Sequence, residues 1–293
     1  MSAALSELGV TEFLTLARVG FLPRGLCIGS CVFAAGSQYD WQVRTAEIQT
    51  LSHAMRSARH LAIQRMRAQA HQLGAEGVVD VRLEVEHHVW RGARQVAKCI
   101  AVGTAVVFDE RHAPQKLRGA PSLRLKNGQP FDSDLSGGDF VLLLTAGYRP
   151  VTVAMGNCVY GIDPRVLRAY RDKDAEIGPV SKAFFDAREV AMERLQQDLF
   201  KHWPRGTPDC PVGIVGMTVD EAVYGGAGAS GPPIVEFTAL GTAIAPLAPN
   251  DPRRATRDAR PRAARRRRPP RPDPPPACAC AGLRDDARCA SRD

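Results

Sequence analysis

The chain has 293 residues, 44% hydrophobic and 24% charged, with a formal net charge of +8. This is about two domains' worth of chain, and its apolar fraction lies far above that of disordered sequences. Residues 250–293 hold 13 arginines and 6 acids, which leaves 26 basic and 25 acidic residues in 1–249; this nearly neutral remainder argues against a basic nucleic-acid surface on the folded part.

Taken in chain order, a short helix follows Gly9, Val10 and Thr11 and ends at Gly20, and a strand runs through about 25–33. A long helix is predicted over about 45–73, where Ile48, Leu51, Met55, Ala58, Ala62 and Met66 recur at intervals of three and four; Gly74 caps it. Strand 78–85 alternates apolar and charged residues, as a half-exposed strand does. Strand 96–108 is apolar or small on both faces, so it should be central and covered on both sides.

A second helix starts at Ser136, a good N-cap, and ends at Gly147; a strand follows at 151–160. A second long helix spans about 180–203 and stops at Pro204.

These elements repeat. At a constant offset of 127, Leu8, Phe13, Leu16, Gly20, Pro23, Gly29, Cys31 and Val32 match Leu135, Phe140, Leu143, Gly147, Pro150, Gly156, Cys158 and Val159. Ala58, Arg59, Ala62 and Arg65 match Ala187, Arg188, Ala191 and Arg194 at 129. The run from Gly77 matches Gly213 at 136, and Gly103-Thr104-Ala105 matches Gly241-Thr242-Ala243 at 138. The offset drifts only between elements, where insertions are tolerated. The chain therefore divides into unit 1 (7–110), a linker (111–130), unit 2 (131–248) and a disordered Arg/Pro-rich tail (249–293).

The fold class expected is α+β: two tandem β-α-β-β units, each a three-stranded antiparallel sheet of order 1-3-2 with one long helix, preceded by a short helix. The helix covers one face. The other would leave an apolar patch in water, so the second copy or another subunit should cover it.

The run Ala58-Arg59-x-x-Ala62, then Leu73-Gly74-Ala75-Glu76-Gly77-Val78-Val79, then Val102-Gly103-Thr104-Ala105-Val106, resembles the YbjQ-like family of heavy-metal-binding domains. The resemblance covers nearly all of 7–108 and, more loosely, 134–245. It implies a β-α-β-β unit, ring assembly of the small single-domain members, and a heavy-metal ion such as Zn or Cu as ligand. The second copy departs from it where WPRGTPDCPVG (203–213) replaces the Leu-Gly-Ala-Glu-Gly turn.

Cys31 and Cys158 occupy equivalent positions, and would offer two thiolates to a soft metal if the copies met about a pseudo-twofold; alternatively, each fills a site that wants a small buried residue. Cys27 and Cys31 share a strand face but lie roughly 13 Å apart, too far for one ion. His53 and His60 share a helix face about 10 Å apart. Glu84, Glu86 and His88 form a loose surface set. The recurring Arg59, Arg65, Arg188 and Arg194 could hold an anion or form salt bridges, within the helix to Glu189 or Glu193 or to a neighbouring subunit. Arg265–Arg268 offer a nucleic-acid contact through the tail, and Cys278, Cys280 and Cys289 a loose thiol set.

No nucleophile elbow, P-loop or dinucleotide motif occurs. No run approaches the ~20 apolar residues of a membrane span, no basic leader is visible, and eight scattered cysteines do not make a disulfide framework. The reading is a non-enzymatic, self-associating cytoplasmic binding or assembly protein.

Overall fold

The computed structural model describes residues 5–36, 45–90, 94–170, 174–207, 209–224 and 233–254. Arg265–Arg268 and the three tail cysteines lie outside them. The elements are α1 (Val10–Arg18), β1 (Phe21–Ala34), β2 (Ala46–Glu47), α2 (Gln49–Gln72), β3 (Gly77–Trp90), β4 (Arg94–Phe108), β5 (Phe131–Asp132), α3 (Gly137–Ala146), β6 (Tyr148–Gly161), α4 (Pro164–Ala169), α5 (Gly178–His202), β7 (Gly213–Tyr224) and β8 (Ile234–Pro246). The caps are those the residues favour: Ser136 accepts from Asp139 N–H at 3.1 Å, and Gly147 ends α3 in the left-handed region at φ 92°.

Two sheets result, of order β1-β4-β3-β5 and β2-β6-β8-β7. Both contain the expected antiparallel 1-3-2 arrangement of three long strands. Each also has a two-residue fourth strand that comes from the other half of the chain. β2 pairs antiparallel with β6, and β5 pairs parallel with β3. Strands this short carry no periodic signature; the edges they meet create them.

The layers explain the core. α2 lies between the two sheets: its Leu51, Met55, Ala58, Ala62 and Met66 share one cluster with Cys27, Cys31, Ala97, Cys99 and Ala101 of the first sheet and with Val153, Met155 and Val159 of the second. α5 covers the opposite face of the second sheet, where Ala187, Ala191 and Leu195 meet Ala154, Cys158, Phe237 and Ala239. The order is first sheet, α2, second sheet, α5. Each fully buried Leu or Met in this stack contributes about 1.5–3 kcal/mol.

Central strand β8 is thus covered on both faces, as the pattern of its counterpart β4 predicts. α2 covers one face of β4; on the other face Val96, Thr104 and Val106 are buried, while Lys98, Ile100 and Val102 between them are half-buried. The halves do not shelter each other reciprocally. They stack head to tail, and a stack leaves one sheet face open at its end.

The segment expected to be a linker is packed. Leu117, Leu123 and Leu125 are buried, the last two in a cluster with Phe21, Phe131 and Phe140, and Leu123 N–H donates to Glu76 at 3.0 Å. Residues expected at the start of the tail are packed as well. Asp251 and Arg253 are buried and paired at 2.8 Å, and Arg253 donates to the Pro121 carbonyl.

The repeated residues do equivalent work in both halves. A Cβ at Gly29 would collide with the α2 backbone at Ala62, and one at Gly156 with the α5 backbone at Ala191. At Gly103 it would come within 2.6 Å of Val78 Cγ1, and at Gly241 within 2.8 Å of Ile214 Cγ2. β3 bulges between Val79 and Arg82, and β7 between Val215 and Thr218, with Asp80 (φ 53°) and Gly216 (φ 65°) at matching left-handed positions. Each arm before a short helix docks alike: Glu7 N–H donates to Thr104 Oγ1 at 3.2 Å, and Asp134 N–H to Thr242 Oγ1 at 3.0 Å.

Replacing Gly29 or Gly156 with Ala should cost about 3 kcal/mol or more, because backbone, not a flexible side chain, must give way. Gly138→Ala, at an uncrowded helix start, should be neutral or stabilising. Denaturant unfolding of the three variants checks this.

Candidate functional site

Head-to-tail stacking decides the fate of the paired cysteines. Cys31 faces α2 and lies opposite Cys99 in register; Cys158 faces α5 and lies opposite Phe237. A twofold would have brought Cys31 and Cys158 together, whereas stacking puts them in separate cores. Burial pushes the Cys27 and Cys99 thiols up to about 11, and Cys158, with Glu47 nearby, up to about 12. Among the described residues, no group of three or more His, Cys, Asp or Glu is arranged to hold a metal ion. Of the loose surface set, Glu86 pairs with Lys98 at 3.0 Å.

The four recurring arginines divide into a clamping pair, an exposed residue and a buried one. Arg65 donates to the Ser30 carbonyl, and its counterpart Arg194 to the Asn157 carbonyl at 3.1 Å, so each clamps its own half's first strand to its own long helix. Arg194 also takes both oxygens of Glu47, at 2.6 and 3.1 Å. Arg188 is exposed and lies 5.1 Å over the Phe185 ring.

Arg59 is buried and reaches from α2 into the second sheet, where Nη2 donates to Glu236 Oε1 at 2.8 Å and to Thr238 Oγ1 at 3.0 Å. The acids that answer Arg59 and Arg194 therefore come from the opposite half, not from Glu189 or Glu193 on the helix.

Arg59 lines a cleft of 220 Å³ with Leu83 and Val85 of β3, Asp220 and Ala222 of β7, and Glu236, Thr238 and Leu240 of β8. Its Nε and Nη1 are buried there without a protein partner. Two guanidinium nitrogens without a protein partner, beside a cleft whose wall mixes Leu83, Val85, Ala222 and Leu240 with Thr238 and the Asp220 and Glu236 carboxylates, suit a small ligand with acceptor oxygens; Glu236 has already balanced the charge. Pattern alone gave Arg59, but Glu236 could not be found that way, because its counterpart in the first half is Lys98.

A second concavity, an open groove of 660 Å³ along α2 and α5, gathers His53, Arg56, His60, Arg67, Asp198, Lys201 and His202. Asp198 sits between two imidazoles, with His60 Nε2 at 3.3 Å and His202 Nδ1 at 3.6 Å. Burial opposes ionisation of Asp198. The hydrogen bond from His60 and the nearby His60, His202 and Arg56 charges outweigh it and hold the carboxyl below its ordinary range. His53 and His60 were visible in the sequence; Asp198 and His202 come from the other half and match nothing in unit 1.

Two outcomes follow. Arg59→Leu should destabilise by about 3–5 kcal/mol, because it strips the buried Glu236 of its countercharge, and adding Glu236→Leu should recover much of the loss; thermal melts of single and double variants give the coupling. Because the Asp198 carboxyl is lowered by folding, its contribution is full above the ordinary carboxylate range and fades as pH falls through its folded value. Asp198→Asn should therefore flatten the acid limb of the melting temperature plotted against pH.

Residues 25–109, which hold most of the first sheet and all of α2, match the YbjQ-like family described as "Putative heavy-metal-binding". The chain is also 34% identical over 242 residues to the encapsulin nanocompartment protein Rv1762c of Mycobacterium tuberculosis, covering 82% of this chain and 84% of that relative. A match of that length takes in parts of both sheets. On the order of its strands, the Ala-Arg-x-x-Ala helix, the Gly-Thr-Ala strand and these two likenesses, the chain belongs to the YbjQ-like family.

Proposed function

We propose that this chain is a non-catalytic, cytoplasmic assembly protein, a doubled YbjQ-like module that self-associates as part of a larger protein particle. The observation that carries the reading is the interlock of the two halves, in which each sheet receives its fourth strand from the other half. A module that completes itself by stacking on a like module is built to assemble. The relative named as an encapsulin nanocompartment protein supports the same reading. No helix among the described residues is long and apolar enough to cross a membrane.

Light scattering on the eluting full-length protein, with native mass spectrometry, tests this. A discrete species of several chains is expected, and a monomer at all concentrations would contradict it.

A second reading is favoured by the unused Arg59 donors: a small oxygen-acceptor ligand in the cleft between β3, β7 and β8. Thermal-shift screening with phosphate, sulfate and small carboxylates should then raise the melting temperature of the wild type, and not that of Arg59→Lys, whose ammonium cannot present the same fork.

The family's heavy-metal description gives a third arm, a soft Zn- or Cu-like ion. The facing pair Cys31 and Cys99 would serve better than Cys31 with Cys158. Elemental analysis of untagged protein should show near-stoichiometric metal that is lost with Cys31→Ala; sub-stoichiometric metal in the wild type removes this arm.

A further inference from the structure

We propose that the second half of one chain docks on the first half of another copy through the same contacts that join the two halves within a chain. The proposal rests on the assembly reading above and specifies the faces involved.

The internal junction serves as template. The segment before α2 runs along the edge of β6: Ile48 N–H donates to the Val159 carbonyl at 2.8 Å, and Ser52 Oγ accepts from Val159 N–H at 3.0 Å. Glu47 closes the junction on Arg194. Each of these residues has a counterpart, exposed in every case but Ile177, which is half-buried. Ile48 and Ser52 correspond to Ile177 and Ser181, Glu47 to Glu176, Val159 to Val32 and Arg194 to Arg65. The donor side is also pre-shaped. Ile177 holds φ −86°, ψ 76° before α5, against −91° and 79° for Ile48 before α2.

Exposure marks the same faces. Ile28 and Val32 on the open face of β1 are 50% and 53% exposed, whereas their counterparts Met155 and Val159, under α2, are 3% and 1%. On β7, Met217 is 40% exposed, while its counterpart Val81, beneath the incoming segment at Ser133, is 2%. Glu176, Ser181 and Arg65 are exposed as well. Ile28, Val32 and Met217, left in water on the outer strands, thus coincide with positions that the internal junction buries.

The open parts are complementary. The second half presents the outer side of α5, the 175–177 segment and the edge of β7. The first half presents the face and edge of β1 and the arm that contains Ser6 and Leu8, the counterparts of Ser133 and Leu135. The junction is therefore heterologous, head to tail, and propagates until rotation closes a ring. In it, Val32 offers its edge N–H to Ser181 and its carbonyl to Ile177 of the next copy, and Glu176 meets Arg65. One feature of the template is not repeated: Lys98 stands where Glu236 does, so Arg188 finds no buried carboxylate and the junction between copies is the weaker of the two.

The test is the oligomeric state of the full chain, by light scattering and native mass spectrometry, with circular dichroism melts confirming that each variant folds. Val32→Asp and Glu176→Arg, both at exposed positions, should each weaken self-association about tenfold or more. Glu176→Arg combined with Arg65→Glu should restore it. A wild type that oligomerises while both single variants leave the oligomer intact overturns this junction and leaves the assembly reading standing. A monomeric wild type overturns both, and failure of the charge swap to rescue overturns the Glu176–Arg65 register.

Discussion

The arrangement hangs on one helix with two apolar sides. α2 buries Leu51, Met55, Ala58, Ala62 and Met66 in a single core fed by both sheets. A β-α-β-β unit alone covers one sheet face with its helix and leaves the far side of the sheet bare. Here the bare side of the second sheet rests on the first half's helix. That contact buries most of the second face of β8, and it gives the two halves their order along the stack.

Stacking also dictates chemistry. Equivalent residues of two stacked modules lie a layer apart and never face each other, so a pair such as Cys31 and Cys158 cannot converge. Groups that do converge are non-equivalent: Arg59 with Glu236, Glu47 with Arg194, His60 with Asp198. All three pairs join the first half to the second. The polar groups of greatest interest are therefore junction groups, and the Arg59 cleft is a space the junction leaves unfilled. Its two free guanidinium donors are the unsatisfied remainder of a contact that otherwise matches well.

Much of this was legible in the sequence. The doubled Gly29/Ala62 and Gly156/Ala191 pairs report the close approach of helix to strand, and the apolar faces of strand 96–108 report a central position in the sheet. Helix ends at Gly20, Gly147 and Pro204 are local chemistry. What could not be read was the relation between the halves. β2 and β5 exist because an edge lies beside them, and two residues have no period to detect. The acidic partners escaped for the same reason, since Glu236, Glu47 and Asp198 find their cations only after stacking. The hydrophobic pattern asks for a cover on each sheet and is silent on whether the cover arrives reciprocally or in series.

A cryo-electron microscopy structure of the wild-type assembly tests the serial arrangement most directly. The account predicts α5 of one copy lying across Ile28 and Val32 of the next, as α2 lies across Met155 and Val159 within the chain. A particle held together by a twofold contact, or one in which the face of β1 stays open to solvent, would contradict it.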